Sequence, residues 1–216
     1  MQKLIKGLHQ FQKEVFEDRR ELFERLSQGQ HPEALFITCS DSRISTTLMT
    51  QTHPGDLFVM RNAGNIIPPY DPNAISGEAA TIEFAIQGLG IKDIIICGHS
   101  HCGAVAGMLN PDKLTKLPSV ARWLTHANKA KALVDDNYSK LDPEERLSAA
   151  VQENVLVQLE NLRTHPIVQE REAAGSINLH AWVYQFETGE VFMYKADEGQ
   201  FLSLSSETAH VERTVC

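Results

Sequence analysis

No stretch of the 216 residues approaches the run of ~20 apolar residues that a bilayer-spanning helix needs, which excludes a transmembrane helix. The opening MQKLIKGLHQFQKEVF also lacks an apolar signal core and a small-residue cleavage site, so the expected location is cytoplasmic. Positive charge is scarce. The 20 Lys and Arg are outnumbered by 28 Asp and Glu, for a formal charge of −8. A nucleic-acid partner is excluded on that balance, because such a binder needs a basic stripe to release counterions. The densest basic group, Arg19, Arg20 and Arg25, is interleaved with Glu and reads as a solvated helix face. Cysteine is rare as well. Four cysteines in a cytosol-like compartment argue against disulfides and for a metal or catalytic role. Internal repeats and low-complexity linkers are missing, which leaves a single domain with a terminal arm.

What is present follows an α/β pattern. Leu4, Leu8, Phe11, Val15, Phe16, Leu22, Phe23 and Leu26 recur at helical spacing over residues 2–28, giving an apolar face that suits a partner subunit. Apolar, β-branched runs predict strands at 34–39, 57–61 and 92–97, and a final strand or hairpin over 177–186 and 190–194. Helices are expected near 44–50, 76–87 and 103–109, then over 117–134 and 143–163. Strands alternating with helices imply a mostly parallel β-sheet flanked by helices. The chain divides into an N-terminal helical arm (1–30), an α/β core (31–195) and a polar tail (196–216).

Two short clusters carry the chemistry. Cys39 and Asp41 stand in FITCSDSR, and His99 and Cys102 in IIICGHSHCG, each cluster at the end of a predicted strand. Two thiolates, an imidazole and a carboxylate suit a borderline-soft divalent metal, zinc best of all. Structural zinc sites are mostly closed shells of Cys and His, so a replaceable oxygen ligand points to chemistry. Arg43 lies two residues from Asp41. Either that pair is ordinary surface charge, or an Arg fork holds the carboxylate and leaves a metal position for water. His101 is expected to turn away from the metal, and Cys97 and Cys216 read as ordinary apolar fillers.

With CSDSR, RNAGNIIP and GHSHCGA in order and at matching separations, the chain resembles a β-class carbonic anhydrase from its N-terminus to about Tyr194. The N-terminal pattern and GHSHCGA are most similar to cyanobacterial carboxysomal members. The resemblance implies zinc held by Cys39, His99 and Cys102, with Asp41 or water as fourth ligand. It implies that Asp41, oriented by Arg43, accepts a hydrogen bond from zinc-bound hydroxide attacking carbon dioxide. It places Gln30, Phe58, Phe84 and Gly103 at the substrate. It further implies a homodimer or higher oligomer with the pocket at the dimer interface, the N-terminal helix embracing the partner, and residence in a carboxysome with a scaffold protein as a candidate partner. Two departures stand out: Ile44-Ser45-Thr46-Thr47 where many relatives carry a proline, and a shorter C-terminal segment than some carboxysomal relatives. The rival readings are a carbonyl sulfide or carbon disulfide hydrolase on the same scaffold, and a non-catalytic, zinc-stabilised assembly protein.

Overall fold

The computed structural model describes residues 1–204; Cys216 lies outside them. Six strands form one sheet in the order β2-β1-β3-β4-β5-β6. They are β1 (Ala34–Cys39), β2 (Leu57–Asn62), β3 (Asp93–His99), β4 (Asn178–Tyr184), β5 (Val191–Lys195) and β6 (Gln200–Ser203). The first four run parallel, while β5 and β6 are antiparallel additions at one edge. All six residues of β1 are buried, as a parallel strand covered on both faces requires.

Helices α1 (Gln2–Gln10), α2 (Phe16–Asp18) and α3 (Arg20–Leu26) form the arm. It is not the continuous helix its periodicity suggests, because Phe11–Val15 widens into a π-turn and the backbone breaks at Arg19 (φ −120°, ψ 23°). The arm contributes nothing to the core: Leu4 is 66% and Leu8 61% exposed. The remaining helices are α4 (Thr46–Thr50), α5 (Gly77–Glu83), α6 (Gly103–Leu109), α7 (Pro118–Trp123), α8 (Asn128–Asn137), α9 (Pro143–Leu162) and α10 (Pro166–Ala173). The single helix expected over 117–134 is split by a 3₁₀ turn at Leu124–Ala127. Helix α10 and strand β6 have weak patterns and emerge only in the structure.

Helix α9 packs across β3 and β4 and contributes to the core on that side. Its start is specified locally, with Pro143 at the first helical position and Asp142 accepting from the Glu144 and Glu145 amides, both at 2.9 Å. Val151, Val155, Leu159 and Leu162 then pack with Leu35, Ile37, Ile94 and Ile96. Gly98 permits the close approach of α9 to β3, since a Cβ there would lie 2.6 Å from Val155 Cγ2. On the opposite face Ala34, Phe36, Ile95 and Cys97 pack with Met49, Leu57, Trp182 and Tyr184. Among the described residues no helix is long and apolar enough to cross a membrane.

Candidate metal centre

Neighbouring parallel strands end side by side, and β1 and β3 do so with chemistry at their tips. Cys39 is the last residue of β1 and His99 the last of β3, so both belong to strand ends rather than to the following turns. Cys102 follows after a tight turn in which His101 adopts the left-handed region (φ 52°), uncommon for a residue with a side chain. Cys102 is the N-cap of α6. The Sγ atoms of Cys39 and Cys102 stand 4.0 Å apart. One donor atom from each of Cys39, His99 and Cys102 lies within 4.8 Å of the others, and all three residues are buried.

This donor set fits a tetrahedral metal. Two sulfurs at ~2.3 Å from a common ion stand about 3.8 Å apart. The imidazole is oriented for the same point: His99 Nδ1 donates to the Ser100 carbonyl at 2.8 Å, which leaves Nε2 as the nitrogen available to a metal. Nε2 is buried and has no hydrogen-bond partner among the described residues. A buried, orphaned acceptor between two thiols is what a cation would satisfy.

The two thiols differ in acidity. The Cys39 thiol is lowered, chiefly by the hydrogen bond it shares with Cys102 and then by His99, with the Gly64 N–H adding at 3.3 Å. Cys102 is pushed up, because losing its proton would place a second negative charge beside the first in a buried site. A cation held by Cys39, His99 and Cys102 would allow both to ionise, with release of the remaining proton.

Asp41 faces the same point without joining it. Its Oδ2 lies 3.9 Å from His99 Nε2. Arg43 holds the carboxylate with a fork, Nε to Oδ1 at 2.9 Å and Nη2 to Oδ2 at 2.7 Å, and the Arg43 N–H adds a third bond at 3.0 Å. The guanidinium is itself fixed, with Nη2 donating to the His101 carbonyl at 3.1 Å and the group stacked 4.5 Å above the Phe186 ring. These donors hold the Asp41 carboxyl well below the usual carboxylate range. His101 turns outward and pairs with Glu187. Cys97 is buried away from these groups, with its thiol pushed up to about 12 by desolvation.

Some supporting residues escape sequence reasoning. Arg61 donates to the carbonyls of Cys39 at 2.9 Å and Asp41 at 2.7 Å, anchoring the turn that carries the carboxylate. The following loop is pinned by Asn62, which bonds both the N–H and the carbonyl of Ile66. Trp123 Nε1 donates to the Ala63 carbonyl at 2.9 Å and Asn154 Nδ2 to that of Gly64 at 3.0 Å. Asn154 and Gln158 are polar residues buried in the middle of α9, and that is the signal that could have found them.

The residues expected at the substrate are dispersed within one chain. Gly103, the first residue of α6, stays beside Cys102. Phe58 pairs with Leu35, four residues short of the Asn62 that faces Cys39, or about 13 Å along the strand. Phe84 is half exposed and its ring lies 6.0 Å from that of Phe58. Gln30 is exposed and precedes β1, whereas Cys39 ends it. The segment around Gln30 is held at that far end, where Leu26 packs on Gly55 and the Glu33 N–H donates to the Asp56 carbonyl at 2.8 Å.

Comparisons with known proteins agree with this arrangement. A carbonic anhydrase from Synechocystis sp. is 52% identical over 195 residues, covering 90% of this chain and 71% of that protein. The solved β-carbonic anhydrase CcaA superposes with a TM-score of 0.92 at 50% identity, covering 95% of this chain and 92% of that one. A tetrameric β-carbonic anhydrase from Sordaria macrospora gives 0.80 at 28% identity, over 90% and 96% of the respective chains. The carbonic anhydrase family profile matches residues 34–191, which takes in every donor gathered at the ends of β1 and β3. The chain therefore belongs to the β-carbonic anhydrases.

Proposed function

We propose that this enzyme catalyses the reversible hydration of carbon dioxide to bicarbonate and a proton, with zinc held by Cys39, His99 and Cys102 and with a second copy of the chain completing the pocket. Zinc is favoured over other divalent ions because two thiolates and one imidazole form a soft, tetrahedral donor set, and when bound it supplies the Lewis acidity that makes water acidic near neutral pH.

The chain's own residues do the rest. The Arg43 fork keeps Asp41 from serving as a fourth metal donor and aims its carboxylate at the point where the three donors converge. Asp41 remains ionised down to strongly acidic pH, so it accepts a hydrogen bond from the attacking water and orients it without carrying the proton away. Gln30, Phe58 and Phe84 are too far along the sheet to serve the metal centre of their own chain. A dimer that sets β2 and the arm of one protomer against the metal centre of the next would bring them to the substrate. The exposed apolar face of α1 supports that arrangement, as does the tetrameric state of the Sordaria macrospora relative.

The oriented Asp41–Arg43 pair carries this reading, since a purely structural zinc site has no use for it. The test measures zinc content and carbon dioxide hydration by stopped flow on one preparation, with carbonyl sulfide and carbon disulfide as alternative substrates. Stoichiometric zinc with rapid hydration is expected, and zinc without hydration, or preference for a sulfur substrate, would overturn the proposal. The carboxysomal placement rests on the motif resemblance and on the cyanobacterial relative. Tagged enzyme in a carboxysome-forming host should co-purify with Rubisco-containing particles, and a diffuse distribution rejects that part.

A further inference from the structure

We propose that Asn154 is a positioning residue for the metal centre, acting through Gly64 on the Cys39 thiolate. This inference rests on the reading of Cys39, His99 and Cys102 as metal donors. Gly64 is gripped from both sides. Its N–H donates to Cys39 Sγ at 3.3 Å, and its carbonyl accepts from Asn154 Nδ2 at 3.0 Å. The residue is left-handed (φ +85°), and a Cβ on it would lie 3.1 Å from the Ala104 Cβ, so only glycine fits here. The Gly64 N–H lies in the peptide plane of the Ala63 carbonyl, which Trp123 Nε1 holds at 2.9 Å, and Asn154 fixes the adjoining plane and with it the position of Gly64 between the two.

Asn154 holds it rigidly. The residue is 1% exposed, and its Oδ1 accepts from Gln158 Nε2 at 3.0 Å. Gln158 is itself fully buried, and its Oε1 accepts from the Ile67 N–H at 2.8 Å. Two amides one helical turn apart thus clamp the loop at Gly64 and Ile67 and fix the direction of both. Burial of such groups on the core face of α9 costs stability unless their hydrogen bonds are made, and Asn154 spends a donor on Gly64. An N–H aimed at a thiolate draws electron density from the sulfur and holds it in the place where it meets the metal. Gln158 is occupied by Ile67, Asn161 and Asn154, which leaves Gly64 as the contact that Asn154 makes outside its own helix.

The experiment compares Asn154→Leu with wild type and with Thr164→Val as a control. Thr164 Oγ1 accepts from the Tyr70 N–H at 2.7 Å, so the control loosens the same loop at its distal end. Each protein is loaded with cobalt(II), and the thiolate-to-cobalt charge-transfer band and the rate of metal loss to a chelator are recorded. Asn154→Leu is expected to move the band to longer wavelength and to speed metal loss by about tenfold. Thr164→Val is expected to change neither. Should the Leu variant not fold, Asn154→Ala carries the same expectation. Unmoved band and loss rate in the Asn154 variants would overturn the inference, and so would equal changes in the control. Lower thermal stability with an unchanged band would likewise overturn it, by reducing Asn154 to packing. A wild-type protein that takes up no cobalt or zinc instead refutes the metal centre on which the inference stands.

Discussion

Asp41 can take one of two partners, and the structure shows it with Arg43. That carboxylate oxygen lies 3.9 Å from His99 Nε2, close enough for a modest swing to bring it onto a metal held by the three donors. Arg43→Gln removes the fork and frees it to do so. The variant is expected to keep stoichiometric metal and lose most hydration activity, and the cobalt(II) spectrum should gain a carboxylate donor; wild-type turnover would remove the fork from the mechanism. Asp41→Asn tests the other half: it should retain metal with activity down by at least a hundredfold, within the range attached to loss of one oriented polar group. The two clusters in the sequence disclose the donors because thiol, imidazole and carboxylate near strand ends have few other uses. Which partner Asp41 takes was legible only as a choice. The Arg43 pairing is supported by Phe186 and the His101 carbonyl, far away in sequence, which immobilise the guanidinium.

Elements differ in how plainly they are written. Strands β1 and β3 are continuous apolar runs, because parallel strands buried on both faces leave no polar alternation to confuse the reading. Helix α9 declares itself through Asp142, Pro143 and Glu145. The arm misleads, since its apolar periodicity survives the π-turn at Phe11–Val15 and the break at Arg19, neither of which has a residue-type signature. Strand β6 has only four residues and takes its identity from pairing with β5. The close approach of α9 and β3 was also hidden, because an isolated glycine in a strand does not say what approaches it. Gly98→Ala would put a Cβ 2.6 Å from Val155 Cγ2 and 3.2 Å from Val151 Cγ1. It is expected to cost about 1–3 kcal/mol in urea unfolding. Val155→Ala in the same chain should recover part of that loss, and additive losses would show that contact with α9 is not the cause.

At the scale of the whole molecule, one sheet carries the metal donors and the proposed substrate residues at places that do not meet. The metal donors close the C-terminal ends of β1 and β3, while Gln30 lies beyond the opposite end of β1 and Phe58 sits partway down the edge strand β2. An edge strand and a helical arm with no buried residue are the parts a second copy would cover. The sequence contains both halves, yet spacing along one chain says nothing of which copy each one serves. Complementation separates the alternatives. A Cys39→Ala protomer lacks a working metal centre but keeps Gln30, and a Gln30→Ala protomer has the reverse defect. If Gln30 serves the neighbouring chain, a hybrid dimer holds one site with every part intact and one with neither. Refolding the two inactive variants together should then restore about a quarter of wild-type hydration, since half of randomly paired dimers are hybrids with one good site each. If Gln30 served its own chain, no pairing could assemble a complete site, and the mixture would be as inactive as its components.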